Sequence, residues 1–182
     1  MVCAVMISTL AGVCSGVRLR RLPVPPCVVA LSVGEAAPDA PDAAARGATV
    51  VEPFDSRDTV TGQGTVAAEI VSQLASQGKQ LDSVIVPVGG GGLLAGVVSY
   101  VADMSPATRV VGVEPSGAAS LRAAAEAGGP VTLETIDPFV DGAAVKKIGA
   151  IGYEVAASEG AVVWPAHAVH DVVAGELGVI EV

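Results

Sequence analysis

Cysteine is scarce. Cys3, Cys14 and Cys27 form an odd set near one end, with no Cys-x-x-Cys pair and no histidine beside them, which argues against a disulfide framework and a zinc site. Reduced thiols and a cytoplasmic location fit that usage. Basic charge is also short: 10 Lys and Arg stand against 19 Asp and Glu, for a formal net charge of -9. No basic cluster exceeds Arg18-Leu19-Arg20-Arg21, so a nucleic acid would meet a repulsive surface along most of the chain. A long unbroken apolar run is missing as well. Residues 1–17 are apolar but interrupted by Ser8, Thr9, Gly12, Ser15 and Gly16, and positive charge follows them, whereas an export signal carries it in front. Arg18, Arg20 and Arg21 would suit an anchor, but the run is short for a span, and membrane attachment is not expected. The two histidines, His167 and His170, have no Cys, Asp or Ser arrangement that would build a triad or a metal site.

What is present is a globular composition: 182 residues, 51% hydrophobic and 16% charged, enough to bury one core and to form one domain or a large part of one. Residues 1–42 read as irregular chain, because Pro23, Pro25, Pro26, Pro38 and Pro41 interrupt any helix or strand. From Ala43 the pattern becomes regular. A strand over 48–51 delivers Pro53-Phe54-Asp55 to a loop, and Asp55, Ser56, Asp58 and Thr59 are turn and cap residues. Residues 63–77 read as a helix with Val66, Ile70, Val71 and Leu74 on one face, ended by Gly78. Strand and helix then alternate over 84–88, 91–103, 109–113 and 118–127. That order implies an α/β fold, a parallel sheet with helices on both faces. Ligands in such sheets sit outside the carboxyl ends of the strands.

One such end carries Val84-Ile85-Val86-Pro87-Val88-Gly89-Gly90-Gly91-Gly92-Leu93-Leu94. A β-branched strand runs into four glycines and then into an apolar helix. Without Cβ atoms the backbone can take positive φ and its N–H groups stay open to a ligand. At a helix start those donors, with the positive end of the helix dipole, suit a phosphate dianion. A glycine-rich linker is the plain alternative, and the flanking strand and helix speak against it. A Walker loop is excluded, since Leu93 and Leu94 stand where Lys and Ser or Thr would be needed. A dinucleotide fingerprint is weakened by the uninterrupted glycines, although Glu114 at the end of the next strand keeps a Rossmann-type reading open.

The run from Val86 to Leu93 resembles the loop that holds the 5′-phosphate of pyridoxal phosphate in the threonine dehydratase and serine racemase family. Pro53-Phe54-Asp55, Gly62-Gln63-Gly64-Thr65 with Glu69-Ile70, Gly112-Val113-Glu114-Pro115 and Val140-Asp141-Gly142-Ala143-Ala144-Val145 resemble that family's landmarks, in the family's order. The resemblance covers about Ala43 to Val173. It implies a partial tryptophan-synthase-β-like fold, with residues 43–182 an incomplete large cofactor-binding domain and 1–42 outside the family pattern, through a misread start, a frameshift or a truncation. It implies pyridoxal phosphate as cofactor, held by Gly89, Gly90, Gly91, Gly92 and the Leu93 N–H. It also implies a possible magnesium or calcium site at Glu114 and the Ala118 carbonyl, where Ser120 replaces the third ligand, a carboxylate. Otherwise Glu114 is a solvated charge at a strand end.

The family reaction, deamination of L-threonine or L-serine to a 2-oxo acid and ammonia, needs more than a phosphate clamp. The resemblance leads one to expect a Ser-Phe-Lys-x-Arg-Gly-Ala type motif and a Ser-x-Gly-Asn loop, and neither occurs in these residues. Lys146 and Lys147 read as a solvated helix start rather than as a desolvated catalytic lysine, and Lys79 lies in a polar loop. No catalytic residue is therefore assigned. Asp141-Gly142-Ala143 reads as a tight turn whose family counterpart passes near the pyridine ring. The expected protein is threonine dehydratase-like, acting on a small amino acid, homo-oligomeric in its intact form, and inactive as this chain. A non-catalytic cofactor-binding remnant and a serine racemase-like isomerase are the alternatives.

Overall fold

The computed structural model describes residues 52–161 in full, together with the backbone of residues 3–5, 162–166 and 180–181. Chain order is β1 (Cys3–Val5), α1 (Arg57–Ser76), β2 (Ser83–Pro87), α2 (Gly92–Met104), β3 (Arg109–Pro115), α3 (Ser120–Ala127), α4 (Ala150–Ser158), β4 (Val162–Ala166) and β5 (Ile180–Glu181). Single 3₁₀ turns at Ser116–Ala118 and Asp141–Ala143 punctuate the connections. The sheet runs β1-β2-β3-β4-β5, parallel through β4, with β5 antiparallel to β4. Val86 pairs with Gly112 and Val113 with Trp164, so the carboxyl ends of β2, β3 and β4 lie side by side.

These are the α/β class and parallel pairing expected from the alternation of β-branched runs with helical stretches. The segment over 1–42, read as irregular, contributes the short strand β1, which pairs Cys3 with Ser83. The strand expected over 48–51 lies outside the described residues.

Helix α1 begins at Arg57 rather than at 63. Ser56 caps it, its Oγ accepting the Thr59 N–H at 3.1 Å, with Asp58 in the first turn favoured by the dipole. Gly62 and Gly64 look like breakers in sequence, yet α2 crosses α1 at this point. A Cβ on Gly96 would lie 2.5 Å from Gly64 N and from Val60 O, and one on Gly64 would lie 3.1 Å from Gly96 O. The pair lets two backbones touch, a packing demand that outweighs helix propensity. Gln63, Gly64 and Thr65 accordingly sit inside a helix, Gly64 buried and Thr65 bonded to its own Gly62 carbonyl.

The core gathers Val84, Val86 and Val88 from β2 and its exit, Leu94, Val97 and Val98 from α2, Leu121 from α3, and Ile148 ahead of α4. Helix α2 is central: it packs on α1 and α4 and lies over β2 and β3. Its apolar face holds the tetraglycine end of the helix in a fixed position over the sheet.

Candidate functional site

Strand β2 ends at Pro87, Val88 donates to the Val113 carbonyl at 2.8 Å, and Gly89, Gly90 and Gly91 bend the chain into α2. Gly91 is the N-cap, at φ +87°, a left-handed conformation that an L side chain rarely adopts. The bend therefore requires glycine at that position.

The other glycines make room for protein. A Cβ on Gly90 would fall 2.2 Å from Phe54 Cγ, and one on Gly92 would fall 2.7 Å from the Phe54 carbonyl oxygen. A Cβ on Gly89 would meet Ala143 Cα at 3.0 Å, and one on Gly91 would meet Ile148 Cγ1 at 3.0 Å and Gly152 Cα at 3.1 Å. Sequence reasoning treated the missing side chains as clearance for a ligand. In the structure that side of the loop is occupied by Phe54, the Asp141–Ala143 turn and the start of α4.

What remains for a ligand is the row of N–H groups. Ala95 donates to the Gly91 carbonyl at 2.9 Å, as the first intrahelical bond requires. Among the described residues, no hydrogen bond is donated by the main-chain N–H of Gly89, Gly90, Gly91, Gly92, Leu93 or Leu94. Orphan donors of this kind normally find a partner.

The other helix starts show how unusual this is. Ser56 caps α1. Asp55 closes α4: its Oδ2 accepts from Ala150 N and its Oδ1 from Ile151 N, both at 3.0 Å. Glu114 closes α3, with Oε1 accepting from Leu121 N at 2.9 Å and Oε2 from Arg122 N at 2.8 Å. Among the described residues, only α2 has no side-chain acceptor at its N-terminus. Its apolar first turn and its glycine cap leave the dipole uncompensated, a condition that an anion relieves.

Glu114 corrects the expectation of a solvated strand-end charge or a cation ligand. The residue is 0% exposed, and both carboxylate oxygens are turned onto amide donors. Burial pushes its pKa above 4.5, opposed by the Leu121 and Arg122 N–H bonds and by the Arg122 charge. Ala118 is buried as well, and Ser120 Oγ is buried with no hydrogen-bond partner among the described residues. Among the described residues no group of three or more His, Cys, Asp or Glu could hold a metal. A hard cation wants several oxygens, and here the carboxylate serves α3. The same geometry removes the acid on which a Rossmann-type reading depended.

Lys146 and Lys147 are exposed, as expected, and so is Lys79, which bonds Gln77 Oε1 at 3.0 Å. The Asp141–Ala143 turn is brought against Gly89. His167 and His170 lie outside the described residues. A concavity of about 280 Å³, lined by Val98, Thr108, Arg109 and Glu159 among others, lies at the amino ends of β3 and β4, opposite the glycine loop. Sequence reasoning missed the parts played by Phe54 and Asp55 at the loop and the close approach of Gly149 and Gly152. The Gly149-Ala150-Ile151-Gly152 spacing is the one local signal that a helix start is pressed against another backbone.

Comparison with known proteins gives consistent results. A model of the pyridoxal-phosphate dependent enzyme family matches residues 28–172, so family-like sequence extends ahead of Ala43. The biosynthetic L-threonine dehydratase IlvA of Corynebacterium glutamicum is 68% identical over 114 residues, covering 63% of this chain and 26% of that protein. Its counterpart in Mycobacterium tuberculosis is 51% identical over 114 residues, with the same shares of 63% and 26%. The chain thus spans about a quarter of the length of the curated relatives it matches. Among solved structures, the processed threonine deaminase isoform 2 of Solanum lycopersicum superposes with a TM-score of 0.59 at 38% identity, over 64% of this chain and 33% of that one. Maize serine racemase gives 0.56 at 32% identity, over 62% and 34%.

Proposed function

The chain belongs to the pyridoxal-phosphate dependent enzyme family, and from that membership we propose that Gly89, Gly90, Gly91, Gly92 and Leu93 hold the cofactor's 5′-phosphate in a threonine dehydratase-type protein. The observation that carries the reading is the row of N–H groups from Gly89 to Leu94 that have no partner among the described residues, at a helix start that no described side chain caps. These residues fit a dianion: several consecutive main-chain donors, the α2 dipole behind them, and a loop held in place by Phe54, Ile148 and Gly152.

When bound, pyridoxal phosphate supplies an electron sink that stabilises negative charge at a substrate α-carbon. What this chain's residues do is hold and orient. The glycine N–H groups fix one end of the cofactor, and the left-handed Gly91 makes the bend that leads them into α2. The Asp141–Ala143 turn stands next to Gly89. The three lysines, Lys79, Lys146 and Lys147, are exposed, so none of them has the desolvated amine that proton transfer near neutral pH asks for.

The reaction we assign by similarity is loss of ammonia from L-threonine or L-serine, giving a 2-oxo acid. The curated relatives reported above, at 68% and 51% identity, are both biosynthetic threonine dehydratases, which supports elimination over racemisation. It also favours a place in isoleucine biosynthesis. A cytoplasmic location rests on the cysteine usage.

The test is a two-dimensional amide NMR titration of the 182-residue chain with pyridoxal phosphate, inorganic phosphate and NAD. Both phosphate ligands should shift the amides of Gly89, Gly90, Gly91, Gly92 and Leu93, pyridoxal phosphate the more strongly. Stronger shifts with NAD, or none at these residues, would overturn the assignment.

A further inference from the structure

Two helix starts meet at the glycine loop, and only one is left open. Gly152 of α4 comes so close to Gly91 that a Cβ on it would lie 3.0 Å from Gly91 Cα, and Gly149 N donates to the Gly90 carbonyl at 3.0 Å. Asp55 takes the first two N–H groups of α4, and a Cβ on Gly149 would fall 2.7 Å from its Oδ1. The residue before it, Phe54, fills the space beside Gly90 and Gly92. A dipeptide about a hundred residues from α4 in sequence thus braces both the loop and its neighbour.

From this arrangement, and resting on the phosphate reading above, we propose that Asp55 is a positioning residue for the phosphate site: by capping α4 it sets the orientation of the Gly90–Gly91 peptide and keeps the anion on α2. The chain of cause is short. Asp55 holds Ala150 and Ile151, and so holds the start of α4. Gly149, at that start, pins the Gly90 carbonyl. In a trans peptide the N–H points opposite to the carbonyl, so pinning the Gly90 oxygen toward α4 turns the Gly91 N–H away from α4 and into the row of free donors. Capping α4 also satisfies the second set of N–H groups that would otherwise compete for the same dianion.

The sign of one measurement separates this from the alternative. Asp55 is an acidic side chain close to a phosphate site, so if charge alone mattered its removal would tighten phosphate binding. A positioning role requires the reverse. With inorganic phosphate as probe and the amides of Gly89 to Leu93 as reporters, Asp55→Ala should weaken binding by roughly tenfold and abolish the shift of the Gly91 amide. The Thr59 and Val60 amides, at the separately capped start of α1, should keep their positions. Asp55→Asn retains one oxygen acceptor and should recover part of the affinity. If Asp55→Ala does not fold, Asp55→Asn decides, and it should bind more weakly than the wild type. Wild-type or tighter phosphate binding in a folded Asp55 variant overturns the positioning role alone, whereas absence of phosphate shifts in the unmodified chain overturns the phosphate reading together with it.

Discussion

Gly91 and Glu114 are the two residues whose chemistry is most constrained by their surroundings. At Gly91 a side chain would meet both a backbone penalty at φ +87° and contact with Ile148 and Gly152. Gly91→Ala should therefore cost about 1–2 kcal/mol in urea unfolding, and it should blunt the phosphate-induced shifts of its neighbours. A variant of full stability and full phosphate response would mean that the loop adopts another bend. Glu114 makes a prediction in pH. Its pKa is raised in the folded state, by burial first. A carboxyl with a raised folded pKa contributes stability that is fully present below the unfolded value and is lost as pH rises through the folded one. The stability of the wild type relative to Glu114→Gln should thus be greatest below about 4.5 and should shrink as pH rises above it. Urea midpoints collected across that interval measure it. A difference that grows with pH would show that the two amide bonds and Arg122 outweigh burial.

Among the elements, what sequence could show was the alternation itself and the glycine loop, because both are written locally: β-branched runs, four consecutive glycines, then an apolar helix. Helix α1 starts at Arg57 rather than at 63 because Ser56 caps it there, and the demand for glycine at 64 inside that helix comes from Gly96, a residue on another helix. Glu114 was misread because a charge at a strand end is solvated by default, and only the fold turns it back onto Leu121 and Arg122. The capping of α4 by Asp55 was not legible at all, for its partners lie far along the chain. A test at this scale is Gly96→Val. Its Cβ would lie 2.5 Å from backbone atoms of α1, which cannot yield as a flexible side chain would. The variant should lose about 1–3 kcal/mol of stability in urea. Gly62→Ala, with nothing within 4 Å of the added Cβ, should be neutral or stabilising by up to about 1 kcal/mol. The opposite ranking would show that α1 and α2 do not cross at these glycines.

At the scale of the whole molecule the question is what kind of grip the chain has on its cofactor. The sequence contains three lysines, Lys79, Lys146 and Lys147, and all of them are exposed. A lysine that attacks an aldehyde near neutral pH must first be desolvated or placed beside other positive charge, so that its amine is uncharged. None of the three is buried. The glycine loop, by contrast, is built into the centre of the fold through α2, which packs on α1, α4 and the sheet. The expected behaviour is therefore binding without covalent capture. Pyridoxal phosphate should raise the melting temperature with concentration, as any ligand of the native state does, and inorganic phosphate should reproduce part of the effect. The visible absorbance band of lysine-bound cofactor should be absent, and borohydride reduction followed by mass spectrometry should find no specific label on Lys79, Lys146 or Lys147. A stoichiometric label on Lys146 or Lys147, lost on changing that residue to Ala, would show that the loop after the Asp141–Ala143 turn folds over the site and would give this chain a catalytic lysine.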